Sequence, residues 1–232
     1  MVLFCFPYAG GSPYQFMDWK GSLLPEVQLA ALQAPGHGSR LSEPAHRSVD
    51  EILYEIMPEF SIIGNRRFAF YGHSLGAIIA FELARWLRKA GLPQPCHLFV
   101  GAARPPQLGP TSPCLHFLEE QEFLEAVQGR YGGIPSEILN DPDVLSIFLP
   151  ALRADFTVYE TYKYQAEPPL DCPISAFAGT RDPHVPAQLM TGWEAHTTAR
   201  FNLRGLRGGH FFFEESRNEL TGSILHKLTA PR

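Results

Sequence analysis

The sequence has no apolar run that approaches the roughly 20 residues needed to span a bilayer. It also has no excess of basic residues, because 19 Lys and Arg stand against 24 Asp and Glu for a formal charge of −5. A broad nucleic-acid interface needs a basic stripe, and none is present. We therefore expect neither a membrane-spanning helix nor a nucleic-acid partner.

Cysteine is scarce, and Cys5, Cys96, Cys114 and Cys172 form neither a CxxC pattern nor a Cys/His metal spacing. An even number of cysteines alone would permit a secreted disulfide framework. However, two of the four lie in apolar, strand-like segments, where buried free thiols are common. The first apolar segment has no basic residues before it and runs into Pro7, unlike a signal peptide. We therefore expect reduced cysteines, a cytoplasmic protein and no bound metal.

What the sequence has instead is a regular alternation of apolar strand-like segments with helices. Hydrophobic residues make up 45% of the 232 residues, which is enough for the core of one domain. Helix boundaries are marked by a capping box at Ser48 and by Gly91. Strands are predicted at residues 2–6, 27–33, 67–71, 96–101, 174–179 and 199–203. This alternation indicates an α/β fold, a mostly parallel sheet with helices on both faces.

The alternation stops between residues 104 and 169, where no strand is predicted. A proline-rich stretch leads into a helix at about 117–128, and a second, long helix begins at Pro142 behind the capping residue Asp141. We interpret residues 104–169 as a helical lid inserted into a core made of residues 1–103 and 170–232. Its apolar residues exceed what one core face needs, so some should line a substrate channel. The candidates are Phe117, Phe123, Phe148, Leu152 and Phe156.

Residues 72–76, Gly-His-Ser-Leu-Gly, match the pattern G-x-S-x-G. The pattern alone is weak, but here it follows an apolar strand and opens a helix, which is the setting of a nucleophile elbow. The sharp turn needs glycine on both flanks, since a Cβ would clash with the neighbouring strand and helix. We predict that Ser74 is a nucleophile exposed at the carboxyl edge of the sheet. The competing interpretation is a glycine-rich turn with an incidental serine.

A serine hydroxyl becomes a good nucleophile when a histidine held by a carboxylate takes its proton. In this fold the three residues follow the chain order serine, acid, histidine. His210 lies in the loop after the last predicted strand and is the predicted base, with His184 left open. Asp182 follows the strand at 174–179, whereas the preceding strand is followed by no carboxylate. Asp182 is therefore the predicted acid, and Asp155 in the lid is the runner-up.

An oxyanion hole needs two backbone N–H groups that point at the tetrahedral oxygen. One is expected from Leu75, the residue after the nucleophile. The other is expected from the loop at residues 7–11, whose glycines allow close approach of the backbone. We favour the amide of Ala9, with Tyr8 as the alternative. An ordinary tight turn is the competing interpretation of this loop.

Five motifs together resemble the type II thioesterases, the discrete editing thioesterases of polyketide and nonribosomal peptide assembly lines. They are residues 6–12, residues 35–38 with Arg40, residues 72–76, Gly179 with Asp182 and Val185, and residues 208–212. The resemblance covers nearly the whole chain. It implies an α/β-hydrolase fold and hydrolysis of acyl groups from the phosphopantetheine arm of carrier proteins in antibiotic biosynthesis. Asp155 and Glu160 match a lid-helix pattern that is usual in the family.

The residues alone, without the resemblance, support a serine acyl-hydrolase that works through an acyl-enzyme. A general carboxylesterase and a medium-chain fatty-acyl thioesterase therefore stay open as alternatives. A hydrolase-like binding module without activity is the alternative from another class. No cofactor is expected, because the phosphopantetheine belongs to the partner. The expected partners are acyl or peptidyl carrier protein domains, and the expected state is a monomer.

Overall fold

Six parallel strands form one sheet in the computed structural model, which describes residues 1–64 and 66–230. In chain order the strands are β1 (Val2–Phe6), β2 (Gln28–Ala31), β3 (Phe68–His73), β4 (Leu98–Gly101), β5 (Ile174–Gly179) and β6 (Phe201–Leu206). Their spatial order is β2-β1-β3-β4-β5-β6. The predicted α/β fold with a mostly parallel sheet is confirmed.

The helices connect these strands and cover the sheet. They are α1 (Lys20–Leu23), α2 (Val49–Ser61), α3 (Leu75–Lys89), α4 (Glu120–Arg130), α5 (Ser136–Leu139), α6 (Pro142–Thr161), α7 (Ala187–Met190), α8 (Phe212–Glu215) and α9 (Arg217–Thr229). Short 3-10 helices occupy Pro13–Trp19, Gly38–Arg40, Pro106–Leu108 and Thr191–His196. No helix of the described residues combines the length and the apolar composition that a membrane span requires.

Two apolar layers hold the helices against the sheet. On one face, α2 and α3 pack on alternate strand residues such as Phe70 and Val100. On the other face, α1 and α9 pack on the intervening residues, such as Tyr71 and Phe99. Because both faces are covered, all the residues of β3 are buried, which explains its continuous apolar pattern. The central strand β3 is therefore a rigid support for the turn that follows it.

The predicted element bounds are least accurate at the edge of the sheet. The last strand, predicted at 199–203, runs from Phe201 to Leu206 and includes the polar residues Asn202 and Arg204. As an edge strand, β6 pairs on one side only, with β5, and its polar side chains remain partly exposed. The helix predicted near 186–193 is one turn of α-helix followed by a 3-10 helix.

The described segment between β4 and β5 contains helices and no strand. Its helices α4 and α6 bury apolar side chains in a cluster of their own, which includes Phe123 and Phe156. The same segment reaches the core, because a side chain added at Gly10 would meet Leu152 of α6. It therefore packs over the loop that follows β1, and its role as a lid stays a prediction.

Candidate active site

Ser74 occupies a sharp turn between β3 and α3. Its backbone has φ 54° and ψ −117°, a strained conformation for a residue other than glycine. A Cβ added at Gly72 would lie 2.2 Å from the carbonyl oxygen of Gly76, and a Cβ at Gly76 would lie 2.0 Å from that of Phe6. Both flanking glycines are thus required by close backbone approach. The turn has the geometry of a nucleophile elbow.

Ser74, His210 and Asp182 are joined by two hydrogen bonds. The Ser74 Oγ lies 3.1 Å from the His210 Nε2, and the His210 Nδ1 lies 2.8 Å from an Asp182 carboxylate oxygen. The other Asp182 oxygen accepts hydrogen bonds from the backbone amides of His184 and Val185 at 2.9 and 3.1 Å. With Nδ1 protonated and donating to the carboxylate, Nε2 is left to accept the serine proton.

The surroundings of Asp182 favour its ionised form. Burial alone would raise the pKa of this carboxyl group, but the hydrogen bond and charge of His210 and the two backbone amides lower it overall. A carboxylate that stays charged can hold the imidazole in one tautomer and stabilise the imidazolium when it forms.

His73 holds the loop that carries His210, a role that the sequence analysis did not predict. It is fully buried, and burial lowers its pKa to about 3, so it stays neutral. Its Nε2 lies 2.9 Å from the carbonyl oxygen of His210, and its Nδ1 lies 3.1 Å from the Tyr71 hydroxyl. The neutral ring donates to the carbonyl and accepts from the hydroxyl, so it fixes the loop that carries His210. Its position directly before the elbow serine was the only signal in the sequence.

The expected oxyanion donors lie beside the serine. Ala9 and Leu75 line the same cavity as Ser74, and neither of their backbone amides has an acceptor among the described residues. For Leu75 this follows from its place at the start of a helix, where amides have no intrahelical partner. The amides of Gly10 and Gly11 donate to other groups. The Tyr8 amide also has no acceptor among these residues, so the choice of Ala9 and Leu75 stays a prediction.

A cavity of about 520 Å³ lies between Ser74 and the helical segment above it. Most of its wall is apolar. Of the five residues predicted to line a channel, Phe148, Leu152 and Phe156 lie in this wall. The sequence prediction did not name the residues of α5 and of the first turns of α6 that complete it, among them Ile138 and Ile147.

The other two predicted lining residues, Phe117 and Phe123, are not part of this wall. Phe117 precedes α4, is 79% exposed and packs on the ring of His116 rather than facing the cavity. Phe123 is fully buried in the lid's own apolar cluster, where its ring meets Phe156 edge-on and the guanidinium of Arg153 lies over it. Both residues lie outside the cavity wall. Phe123 therefore holds α4 and α6 together.

The alternatives to the predicted acid and base lie elsewhere. The carboxylate of Asp155 accepts from the Gly10 amide at 2.6 Å and lies 2.9 Å from the Nε2 of His37. It therefore does not serve as the partner of His210. The ring of His184 lies beside Tyr131, and its backbone amide, not its ring, reaches the predicted acid.

Among the described residues, a cluster in the helical segment between β4 and β5 has side chains that could bind a metal. Ligand atoms of Cys114, His116 and Glu160 lie within 4.8 Å of one another. The Glu160 carboxylate accepts from the amides of Leu115 and His116 at 2.7 and 2.9 Å, and from the Nδ1 of His116 at 2.6 Å. These three hydrogen bonds satisfy the oxygens of the Glu160 carboxylate without a metal ion. Glu160 therefore fastens the loop before α4 to helix α6.

The buried pair of His37 and Asp155 predicts a pH-dependent contribution to stability. Burial alone would lower the pKa of His37, but the Asp155 carboxylate and the carbonyl groups of Pro35 and Ala34 raise it above 6.5. Stabilisation by the imidazolium is therefore complete below pH 6.5 and is lost as pH rises through the raised pKa. We expect the difference in free energy of unfolding between the wild type and Asp155→Asn to shrink by about 1.4 kcal/mol per pH unit within that window.

Urea titrations of both proteins from pH 5.5 to 9.5 would measure this difference. The double variant His37→Gln with Asp155→Asn is the matched control, since it has no group there to titrate. A difference that stays constant across the range would contradict the pairing.

The strand order, the elbow at Ser74 and the histidine and aspartate from later loops give the chain the architecture of a serine hydrolase of the α/β-hydrolase class. The family model for the thioesterase domain matches residues 2–229. The chain therefore belongs to the thioesterase family, and it is a thioester hydrolase.

Close relatives support this assignment. The gramicidin S biosynthesis protein GrsT of Aneurinibacillus migulanus is 37% identical over 97% of this chain and 88% of its own length. The structure of ClbQ, from the colibactin NRPS/PKS pathway, is 30% identical with a TM-score of 0.91 and covers 98% of this chain and 96% of its own. BorB, a type II thioesterase from the borrelidin biosynthetic cluster, is 32% identical with a TM-score of 0.86, over 98% and 90%. The resemblance to type II thioesterases is confirmed.

Proposed function

We propose that this chain removes acyl groups from the phosphopantetheine arms of carrier proteins, as an editing enzyme of a polyketide or nonribosomal peptide assembly line. The observation that carries this proposal is the hydrogen-bonded row of Ser74, His210 and Asp182, of which Ser74 and His210 line an apolar cavity. ClbQ belongs to an NRPS/PKS pathway, and GrsT and BorB belong to the biosynthesis of gramicidin S and of borrelidin. These relationships support the choice of substrate class.

The reaction proceeds through an acyl-enzyme. The Ser74 Oγ attacks the thioester carbonyl while the His210 Nε2 takes its proton, and the amides of Ala9 and Leu75 stabilise the oxyanion. The C–S bond then breaks, and the imidazolium supplies the proton that the departing pantetheine thiol requires. Water attacks the acyl-enzyme with His210 again as base, which releases a carboxylic acid and restores the serine. Asp182 stays ionised throughout.

The size and lining of the cavity support an acyl substrate. A volume of about 520 Å³ with a mainly apolar wall is suited to a small or medium acyl chain. The wall consists of α6 and the residues around α5 on one side and the loop after β1 on the other. A pantetheine arm that enters between these two sides brings its thioester directly to Ser74.

The test compares matched substrates. Acyl groups from acetyl to dodecanoyl are presented on a carrier protein, on CoA, and as oxygen esters of the same acids, with the wild type and with Ser74→Ala. We expect carrier-bound thioesters to be hydrolysed with the highest kcat/KM. A preference for free medium-chain thioesters irrespective of the carrier would favour a fatty-acyl thioesterase. A preference for oxygen esters would favour a carboxylesterase, and either outcome would overturn the proposal.

The wall of the cavity also predicts how chain length is selected. Ile147 lines the cavity and is 55% exposed, so a larger side chain fits there without breaking the core. We expect Ile147→Trp to reduce kcat/KM about tenfold or more for decanoyl thioesters and to leave acetyl thioesters within about twofold. The reason is that the indole fills space that only a long chain occupies.

Phe117→Trp is the matched control, because Phe117 is exposed and lies outside the cavity. It should leave the whole chain-length profile unchanged. Equal losses of Ile147→Trp on all chain lengths, together with a lower Tm, would show that the residue serves packing alone.

A further inference from the structure

One carboxylate joins three separate segments around the active site. Asp155 belongs to α6, is only 7% exposed, and accepts the Gly10 amide at 2.6 Å. The same oxygen lies 2.9 Å from the Nε2 of His37, which belongs to the loop after β2. The loop after β1, the loop after β2 and the helix above the cavity therefore meet at one side chain. The catalytic row does not include it.

The hydrogen bonds of His37 show why a carboxylate is needed there. Its Nδ1 lies 3.0 Å from the carbonyl oxygen of Pro35, and a carbonyl can only accept, so this nitrogen carries a proton. Its Nε2 faces the Asp155 oxygen, which also accepts. Both ring nitrogens donate when His37 is protonated, and the buried charge is then balanced by the carboxylate.

Gly10 is held on two sides by α6. Its φ of +77° is a conformation that favours glycine, and an added Cβ would lie 2.8 Å from Leu152 and 3.0 Å from Phe148. Its N–H points at Asp155, and this bond fixes the plane of the peptide that joins it to Ala9. This holds the carbonyl side of Ala9 from the helix, and the Ala9 N–H, which belongs to the preceding peptide, is separated from that fixed plane only by the two dihedral angles of Ala9.

We propose that Asp155 is a positioning residue for the oxyanion hole: by holding the Gly10 amide, it keeps the Ala9 amide directed at the substrate oxygen. The inference rests on the proposed function for the role of Ala9. It also makes the oxyanion hole depend on α6 lying over the cavity, since the carboxylate belongs to that helix. The conformation of the loop after β1 is therefore coupled to the position of α6 over the cavity.

Helix α6 provides a matched control. Glu160 is a second buried carboxylate of the same helix, and it too binds backbone amides, those of Leu115 and His116 in the loop before α4. Glu160→Gln weakens a comparable structural contact of this helix, as Asp155→Asn does for its own contacts, without touching the loop after β1. If variants at the two positions differ in kcat, an effect on the oxyanion hole is distinguished from a general stabilisation of the lid.

The experiment measures kcat, KM and Tm of the wild type, Asp155→Ala, Asp155→Asn and Glu160→Gln with an acyl-CoA thioester and an oxygen ester. The rate of phosphonylation by a fluorophosphonate, whose P=O oxygen occupies the oxyanion hole, is measured in parallel. We expect Asp155→Ala to lower kcat and the phosphonylation rate by about 100-fold with KM within threefold, which is the loss typical of one oxyanion donor. Asp155→Asn keeps an acceptor for Gly10 and should lose about tenfold.

Glu160→Gln should keep kcat within about threefold even where its Tm falls. Equal losses of kcat at both positions in proportion to Tm, or a rise in KM with kcat unchanged, would overturn the inference. A wild type that hydrolyses the ester and not the thioester would defeat the proposed function alone, because the Asp155 comparison can still be made on the ester. If Asp155→Ala does not fold, the Asp155→Asn comparison decides.

Discussion

Ser74→Ala is expected to lower kcat for thioester hydrolysis by about 10⁵-fold and to abolish fluorophosphonate labelling. The triad acts as a unit, so loss of the nucleophile removes nearly all covalent catalysis. The fold should survive, because alanine keeps the Cβ at the strained elbow and, among the described residues, the hydroxyl has a single side-chain partner, the Nε2 of His210. Steady-state kinetics and the Tm from circular dichroism measure both parts of this expectation.

Ser12→Ala is the matched control for this variant. Ser12 lines the same cavity as Ser74, but it forms a capping box with Gln15 at the start of the following 3-10 helix, so its expected role is structural. Its activity should stay within about threefold of the wild type. If instead Ser74→Ala retained near-normal turnover and Ser12→Ala lost it, the nucleophile would have been assigned to the wrong serine.

The row of three side chains could be predicted from the sequence because each lies at the end of a strand. Ser74 follows β3, Asp182 follows β5, and His210 follows β6. In a parallel sheet the carboxyl ends of all strands share one edge, which brings together residues that are 136 and 28 positions apart. Local signals for strands, a sharp turn and a helix, together with the serine, acid, histidine order of this fold, therefore pointed to these three residues, with Asp155 and His184 as alternatives.

The lining of the cavity could not be predicted in the same way. An apolar helix face must be covered, but its periodicity does not say by which neighbour. Phe123 and Phe148 lie in the same segment, yet the first packs against Phe156 inside the lid and the second against Gly10 beside the active site. This difference depends on how the helices are placed over the sheet, and no pattern within a single helix contains that information.

The contribution of Asp155 was hidden for a related reason. Its partners, Gly10 and His37, lie 145 and 118 positions away along the chain, in loops whose conformations follow no strand or helix period. The residues alone suggested it as an alternative acid, and the family resemblance added that it matches a usual lid-helix pattern, but neither assigned it these partners. The hydrogen bonds distinguish between these roles, since they lead to a backbone amide rather than to His210.

The role of Asp182 depends on its charge and on both of its oxygens. One oxygen accepts from the Nδ1 of His210, and the other accepts two backbone amides, so the carboxylate cannot rotate freely. An asparagine at this position can keep an oxygen on the two amides. Its NH2 group would then face Nδ1, which must become an acceptor. The proton of the imidazole would move to Nε2, the nitrogen that has to accept from Ser74.

Asp182→Asn is therefore expected to lower kcat by about 10³–10⁴-fold with little change in KM or Tm. The geometry is preserved while the wrong tautomer is stabilised and the imidazolium loses its counter-charge. Kinetics with a carrier-bound thioester and a thermal melt measure these quantities, with Asp155→Asn as the matched buried carboxamide. The Asp155 variant should lose only about tenfold, because it keeps an acceptor for a backbone amide. If Asp155→Asn were the more damaging of the two, the acid would have been misplaced.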